Sequence, residues 1–281
     1  MEAGDPLVSA AWLKDNFQTP DLKIVDATWV PPFLTGRPSG RERYDQGHIP
    51  GAVYFDIDQI ADPNTELSHM LPDPILFSSR VRKLGIGDGH RVVVYDSNSF
   101  FASARVWWMF RAMGHTDIKV LDGGLKAWEA IGGDLEDLPP LPPERHHTAR
   151  KRADLVRDMS QMRRHAENRD VKILDARDQG RFDGTSPEPR EGLPSGHIPG
   201  SVCVPASALM ATDGTLKSAD ALSELLDAFR NTPVVTTCGS GVSAAVIALA
   251  LARIGHYDAA VYDGSWSEWA AHSDNPIATA S

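Results

Sequence analysis

Only two cysteines occur in the 281 residues, Cys203 and Cys238, and their surroundings point to different chemistry. Cys238 opens the run C-G-S-G-V-S, between the apolar stretch Val234–Thr237 and the sequence A-A-V-I-A-L-A-L-A. That pattern reads as a buried strand, a tight loop and a helix stopping at Gly255, a residue suited to a left-handed C-terminal cap. Gly239 and Gly241 let the backbone curl so that several N–H groups face one point. Such a nest at a helix N-terminus holds an anion and lowers a thiol pKa. Cys238 stands where the anion would stand, with Gly239, Gly241, Val242 and Ser243 as the cradle. A buried, inert thiol is the competing reading, but a core strand has no use for two glycines at its helix junction. The expected chemistry is nucleophilic attack by a thiolate. Cys203, in the alternating stretch S-V-C-V-P, is expected to fill core rather than pair with Cys238.

The elements around this loop recur. Residues 7–17 read as a helix with Ser9 as its N-cap, followed by strands at 23–27, 91–95 and 119–121 and a helix at 104–113. The sequence K-I-V-D-A at 23–27 returns as K-I-L-D-A at 172–176, and G-H-I-P-G at 47–51 returns at 196–200, both displaced by 149 residues. Asp122-Gly123 with Trp128 returns as Asp263-Gly264 with Trp269, displaced by 141, which puts the shortfall of the second copy between Val53 and Arg91. The expected fold is α/β: two tandem domains related by internal duplication, each a mostly parallel sheet flanked by helices. The boundaries fall at 1–136 and 154–281, joined by a linker over 137–153 that contains Pro139-Pro140-Leu141-Pro142-Pro143. At the displacement of 141, Ser97 lies opposite Cys238, followed by N-S-F-F without glycine. The first copy is therefore expected to lack both nucleophile and nest, leaving one active site per chain.

Composition narrows the partners. A net charge of -10 argues against nucleic acid, and no apolar run is long enough to span a membrane. The opening M-E-A-G-D-P-L-V resembles neither a secretory signal nor a transit peptide, so a soluble, cytoplasmic protein is expected. Two cysteines imply no disulfide framework, and no His or Cys spacing suggests a metal; no cofactor is called for.

Taken together, the two I-[VL]-D-A strands, the two G-H-I-P-G turns, the loop C-G-S-G-V-S and the closing Y-D-G-S-W-S-E-W resemble the tandem-domain rhodanese sulfurtransferases over nearly the whole chain. Within that family the loop is similar to those of members using 3-mercaptopyruvate. Members using thiosulfate carry basic residues where this chain has Gly239 and Ser240. The resemblance implies sulfur transfer through a persulfide on Cys238, with pyruvate released and no cofactor. The acceptor would be cyanide, a thiol or a thioredoxin-like reductant. It implies that Arg181 and Arg190 hold the substrate's carboxylate and keto oxygen, a task to which a guanidinium fork is suited. It implies, further, a proton relay of Ser240 and His48 with an upstream aspartate. No aspartate lies in register here; Glu42 or Asp45 could substitute, and the alternative is that His48 pins its turn as His197 does. Thiosulfate as the main donor is the alternative function. A cysteine phosphatase would need an arginine at position 244, which is Ala244, and a non-catalytic module would be expected to lose the cysteine.

Overall fold

In the computed structural model, residues 4–98 and 100–280 are described. Runs of β-branched residues bounded by turn formers make the central strands, and each sheet is built around two of them. The first half comprises β1 (Leu7–Val8), α1 (Ala10–Asn16), β2 (Leu22–Asp26), α2 (Gly40–Gln46), β3 (Val53–Tyr54), α3 (Pro74–Lys83), β4 (Arg91–Tyr95), α4 (Ser103–Ala112), β5 (Ile118–Leu121) and α5 (Gly124–Ala130). The second half repeats the order with β6 (Val156–Arg157), α6 (Met159–Asn168), β7 (Lys172–Asp175), α7 (Gln179–Asp183), β8 (Val202–Cys203), α8 (Ala219–Leu226), β9 (Val234–Thr237), α9 (Ala244–Arg253), β10 (Ala260–Tyr262) and α10 (Ser265–Trp269). The sheets are ordered β1-β5-β4-β2-β3 and β6-β10-β9-β7-β8, parallel throughout. Two copies of one doubly covered parallel sheet are thus present, as the repeat predicts.

The chain divides into two compact units: residues 1–64, 71–152 and 211–216, and residues 65–70, 153–210 and 217–281. The proline-rich segment is bound to the first unit over its second half. Asp88 N–H donates to the His146 carbonyl, Ser78 Oγ to the His147 carbonyl and Arg150 N–H to the Met113 carbonyl. The expected helix at 7–17 begins later, at Ala10, with Ser9 capping it by accepting the Trp12 N–H. Leu7 and Val8 instead pair with Val120 and Leu121, a two-residue strand too short to show a period.

Each unit packs a core on its sheet. In the second, Met162, Ile173, Ile198, Val235, Tyr262, Trp266 and Trp269 form one cluster. Helix α9 is buried from Ala244 to Ala252, so its sequence is apolar all round, and Gly255 follows it at φ +91°.

Candidate active site

Strand β9 delivers Cys238 to the C-terminal edge of its sheet, where ligands of open α/β sheets bind. Five residues, 239–243, separate it from the start of α9. Cys238 is 2% exposed, and Gly241 lies at φ +77°, a region glycine enters without strain.

The direction of the peptide planes is fixed from behind by α10. The Trp266 N–H donates to the Cys238 carbonyl at 2.9 Å, and the Ser267 N–H and hydroxyl both donate to the Gly239 carbonyl at 2.9 and 2.6 Å. In a trans peptide the N–H points opposite the C=O, so these bonds turn the N–H groups of Gly239 and Ser240 the other way. Neither N–H, nor those of Val242 and Ser243, has an acceptor among the described residues. Donors left open at a helix start are what an anion needs. The Cys238 N–H itself goes back to Ser265 Oγ at 3.2 Å, and Ser265 Oγ donates to the Tyr262 carbonyl at 2.8 Å. Ser265 makes these contacts from φ +51°, a conformation costly for a residue with a Cβ.

Two arginines reach the loop. A Cβ placed on Gly239 would lie 3.1 Å from Arg181 Nη2 and 3.3 Å from Arg190 Nη1, so both guanidinium groups stand one residue from the cysteine. Burial pulls the Arg190 pKa below its ordinary value and Arg181 adds to that, while the charges of Cys238 and Glu188 oppose it. Arg181 is held by Glu188: Nε donates to Oε1 at 3.1 Å and Nη2 to Oε2 at 2.6 Å. Glu188 also accepts from Arg177 Nη1 at 2.8 Å, and its side chain is 1% exposed. Arg177 lies 4.3 Å above the Trp266 ring and donates to Asp175 and to the Gly196 carbonyl. Burial alone would lower the Arg177 pKa, but its bonds to Asp175 and the charges of Asp175 and Glu188 raise it. The buried charges are thereby paired, as a low-dielectric interior requires. The sequence reading missed Glu188, Arg177, Asp175, Ser265 and Ser267. The K-I-L-D-A repeat that contains Asp175, the S-W-S run of the closing motif and the P-E-P-R run beside Arg190 carried a trace of them.

The first copy requires a correction. In the sheet, Asp26 pairs with Tyr95 and Asp175 with Thr237; Ala27 N–H donates to the Tyr95 carbonyl and Ala176 N–H to the Thr237 carbonyl. The counterpart of Cys238 is therefore Asp96, one residue before Ser97. The loop that follows, 97–102, is one residue longer than 239–243, which is why motif spacing alone slips the register. Nor does this loop fail to form a nest. Asn98 and Phe100 donate their N–H groups to Asp96 Oδ1 at 3.1 Å each, and Ala102 and Ser103 donate to Oδ2 at 3.1 and 2.7 Å. The cradle exists and its own aspartate fills it. Ser97 lies outside it, its N–H on Thr28 Oγ1 at 3.0 Å.

His48 is fully buried in the first unit. Its Nδ1 lies 2.8 Å from the Tyr44 carbonyl and its ring stacks on Tyr44 at 3.9 Å, as His197 does on Phe182 at 3.8 Å. Both histidines hold their turns. His48 differs in having a buried Nε2 without a hydrogen-bond partner among the described residues, with Glu136 Oε1 3.6 Å away. Glu42 and Asp45 are committed elsewhere, to the Ser39 capping box and to Arg41. Cys203 is half-buried, and burial pushes its thiol up to about 11, which disfavours the thiolate. No group of three or more His, Cys, Asp or Glu side chains suited to a metal occurs among the described residues.

Residues 9–131 and 158–272 each match the rhodanese-like domain. The chain belongs to the rhodanese family. It is 38% identical to human 3-mercaptopyruvate sulfurtransferase over 272 residues, covering 94% of this chain and 91% of that protein. It is 39% identical to Arabidopsis thaliana thiosulfate/3-mercaptopyruvate sulfurtransferase 1, mitochondrial, covering 99% of this chain and 79% of that one. Among solved structures, Escherichia coli SseA, a 3-mercaptopyruvate sulfotransferase, superposes with a TM-score of 0.85 at 33% identity over 94% of this chain and 99% of that chain. The tandem parallel-sheet architecture is thus the family's fold, and no described helix is long and apolar enough to cross a membrane.

Proposed function

We propose that this enzyme takes sulfur from 3-mercaptopyruvate and passes it, through a persulfide on Cys238, to a thiophilic acceptor. The observation that carries the reading is the meeting of Arg181 and Arg190 at Gly239, beside a cysteine whose loop supplies open N–H donors. A 2-oxo carboxylate offers coplanar oxygens, and a guanidinium meets such oxygens with paired hydrogen bonds. The Cys238 thiolate attacks the substrate sulfur. As the S–S bond forms, the C–S bond breaks and its electron pair becomes the enolate of pyruvate, whose growing charge Arg181 and Arg190 stabilise. The proton lost from the substrate thiol ends on the enolate carbon, with Ser240 as the proposed carrier. His48 stays a proposed member of that relay on the family resemblance alone. Loop N–H groups of Gly239, Ser240, Val242 and Ser243 then hold the outer sulfur as an anion. An acceptor thiol, in the cell a thioredoxin-like dithiol, removes it. Two free cysteines suit the reducing cytoplasm as the site of action.

The experiment is a comparison of kcat/KM for mercaptopyruvate and thiosulfate in wild type and Arg190→Lys. Lysine keeps the charge and loses the fork, so mercaptopyruvate turnover should fall by about tenfold to a hundredfold, the equivalent of about 1.5–3 kcal/mol. Thiosulfate turnover, with no carboxylate to place, should fall much less. Equal losses on both donors would remove Arg190 from oxo-acid recognition. Thiosulfate remains the second reading, favoured by the cationic pair itself and by the double name of the Arabidopsis relative.

A further inference from the structure

The turns closed by His48 and His197 are one device with two different connections. Each histidine sets Nδ1 against the carbonyl of the aromatic residue on which it stacks, Tyr44 in one copy and Phe182 in the other. These partners lie four residues apart in the first copy and fifteen in the second, so eleven extra residues leave and rejoin a common frame. The extra length is the excursion 184–195, which carries Glu188 and Arg190. It is closed at its neck. Ser195 Oγ donates to the Ser186 carbonyl at 2.6 Å, drawing the two ends together around residues 187–194. The N–H groups of Thr185 and Ser186 donate to the Gly180 carbonyl at 2.9 and 3.0 Å, tying the outgoing end to α7. The Gly196 N–H donates to the Arg181 carbonyl at 3.1 Å where the chain returns. Further out, the Pro194 carbonyl accepts the Trp266 indole N–H at 2.9 Å, and Glu188 docks on Arg177 and Arg181. A compact surface loop with joined ends is a unit of its own. The bonds that orient the cradle come from elsewhere: Ser265, Trp266 and Ser267 hold the Cys238 N–H and the Cys238 and Gly239 carbonyls. What the excursion brings to the loop is the Arg190 guanidinium, at Gly239.

We propose that residues 184–195 are a donor-recognition arm set on a turn that closes without it, and that Ser195 is the positioning residue whose clasp brings Arg190 to Gly239. The arm selects the donor, while β9, α9 and α10 make the cradle that takes the sulfur. The two tasks are therefore separable. The inference rests on Cys238 being the sulfur acceptor and deepens that reading.

The clasp is tested in the intact chain by a double-mutant cycle. Ser195→Ala should lower kcat/KM for mercaptopyruvate about fivefold, mostly through KM, and Ser195→Thr should restore it. In Arg190→Ala the same change should cost less than about twofold, because the arm then has no guanidinium to place. No loss in the first background, or an equal loss in both, would overturn the proposal. Separability is tested by an excision variant with one glutamine in place of residues 184–195, which reproduces the D-Q-G-H connection of the first copy. Persulfide formation on Cys238 is followed by intact mass without acceptor, from mercaptopyruvate and from thiosulfate. With thiosulfate the thiolate attacks the outer sulfur, the donor S–S bond breaks and sulfite leaves with the electron pair. The folded excision variant should match Arg190→Ala within about threefold on both donors, and both should fall at least about tenfold below wild type on mercaptopyruvate. Capture from mercaptopyruvate at the wild-type rate would overturn the proposal, and so would a far larger loss on both donors than in Arg190→Ala. If the excision variant does not fold, the cycle at Ser195 decides. Failure of the underlying reading shows differently: wild type would then form no persulfide on Cys238 with either donor.

Discussion

The two loops at the ends of β4 and β9 solve one problem in opposite ways. Both follow a central parallel strand, both curl before a buried helix, and both point main-chain N–H groups at one spot. In the first copy that spot holds Asp96, a permanently attached anion that satisfies four donors. In the second the donors have no acceptor among the described residues, and the proposed occupant is a sulfur anion on Cys238. The lesson is that the fold supplies an anion cradle in both copies, and the proposed chemistry lies where the chain leaves it open. The backing elements follow the same logic. Gly124 and Ser265 open α5 and α10 at φ +57° and +51°, but a Cβ on Gly124 would lie 2.3 Å from the Asp96 carbonyl, so only glycine fits there. The second copy has room for a serine, and its hydroxyl holds the Cys238 N–H.

The comparison can be broken most forcefully at Asp96. Asp96→Ala leaves four N–H groups, three of them in buried bonds, without that acceptor and should cost the first unit about 2–4 kcal/mol, read as a fall in its denaturant midpoint. Asp96→Asn, which keeps one acceptor oxygen, should cost less. A stability equal to wild type would show that the filled cradle is an accident of sequence.

A second contrast lies in acid sensitivity. His115 and His147 stack at 5.6 Å in the first unit; burial lowers both pKa values, and the His115 charge helps bring His147 to about 4. Because the folded pKa is below the unfolded value of 6.5, the unfolded chain takes up the proton first. Stability should therefore be fully present above pH 6.5 and fall as the pH drops toward 4, by up to about 3 kcal/mol. The pH dependence of unfolding should be flatter in His147→Phe, and an identical slope would remove His147 from the account.

Ser265 gives a smaller effect. Ser265→Gly relieves the left-handed backbone as it loses the hydroxyl, so stability should stay within about 1 kcal/mol of wild type while kcat falls about threefold to tenfold. Ser265→Ala loses the bonds and keeps the strain, and should be about 1–3 kcal/mol less stable. The smallest effect is expected at Ser97. Its hydroxyl has no partner among the described residues, so Ser97→Ala should alter stability by less than about 0.5 kcal/mol and leave turnover unchanged.

Much of this was legible in the sequence, for identifiable reasons. The strands 91–95 and 234–237 were found to the residue because uninterrupted β-branched runs between turn formers have few other uses. Cys238 was legible because glycines at a strand–helix junction imply a nest. Three things escaped. A one-residue insertion in a loop carries no hydrophobic signal, so it moved the apparent counterpart of Cys238 from Asp96 to Ser97. Glu188 sits in a proline-bounded loop, where its burial comes from tertiary packing rather than from any local pattern. The two-residue strand Leu7–Val8 is defined only by its partner β5.

The central claim is that one cradle per chain is open and that its anion is sulfur on Cys238. Incubation of the protein with mercaptopyruvate alone, without acceptor, followed by intact-mass and peptide mass spectrometry, tests it most directly. The account predicts one added sulfur per chain, on the peptide containing Cys238, and none in Cys238→Ser. Added sulfur on the Cys203 peptide, or retained in Cys238→Ser, would contradict it.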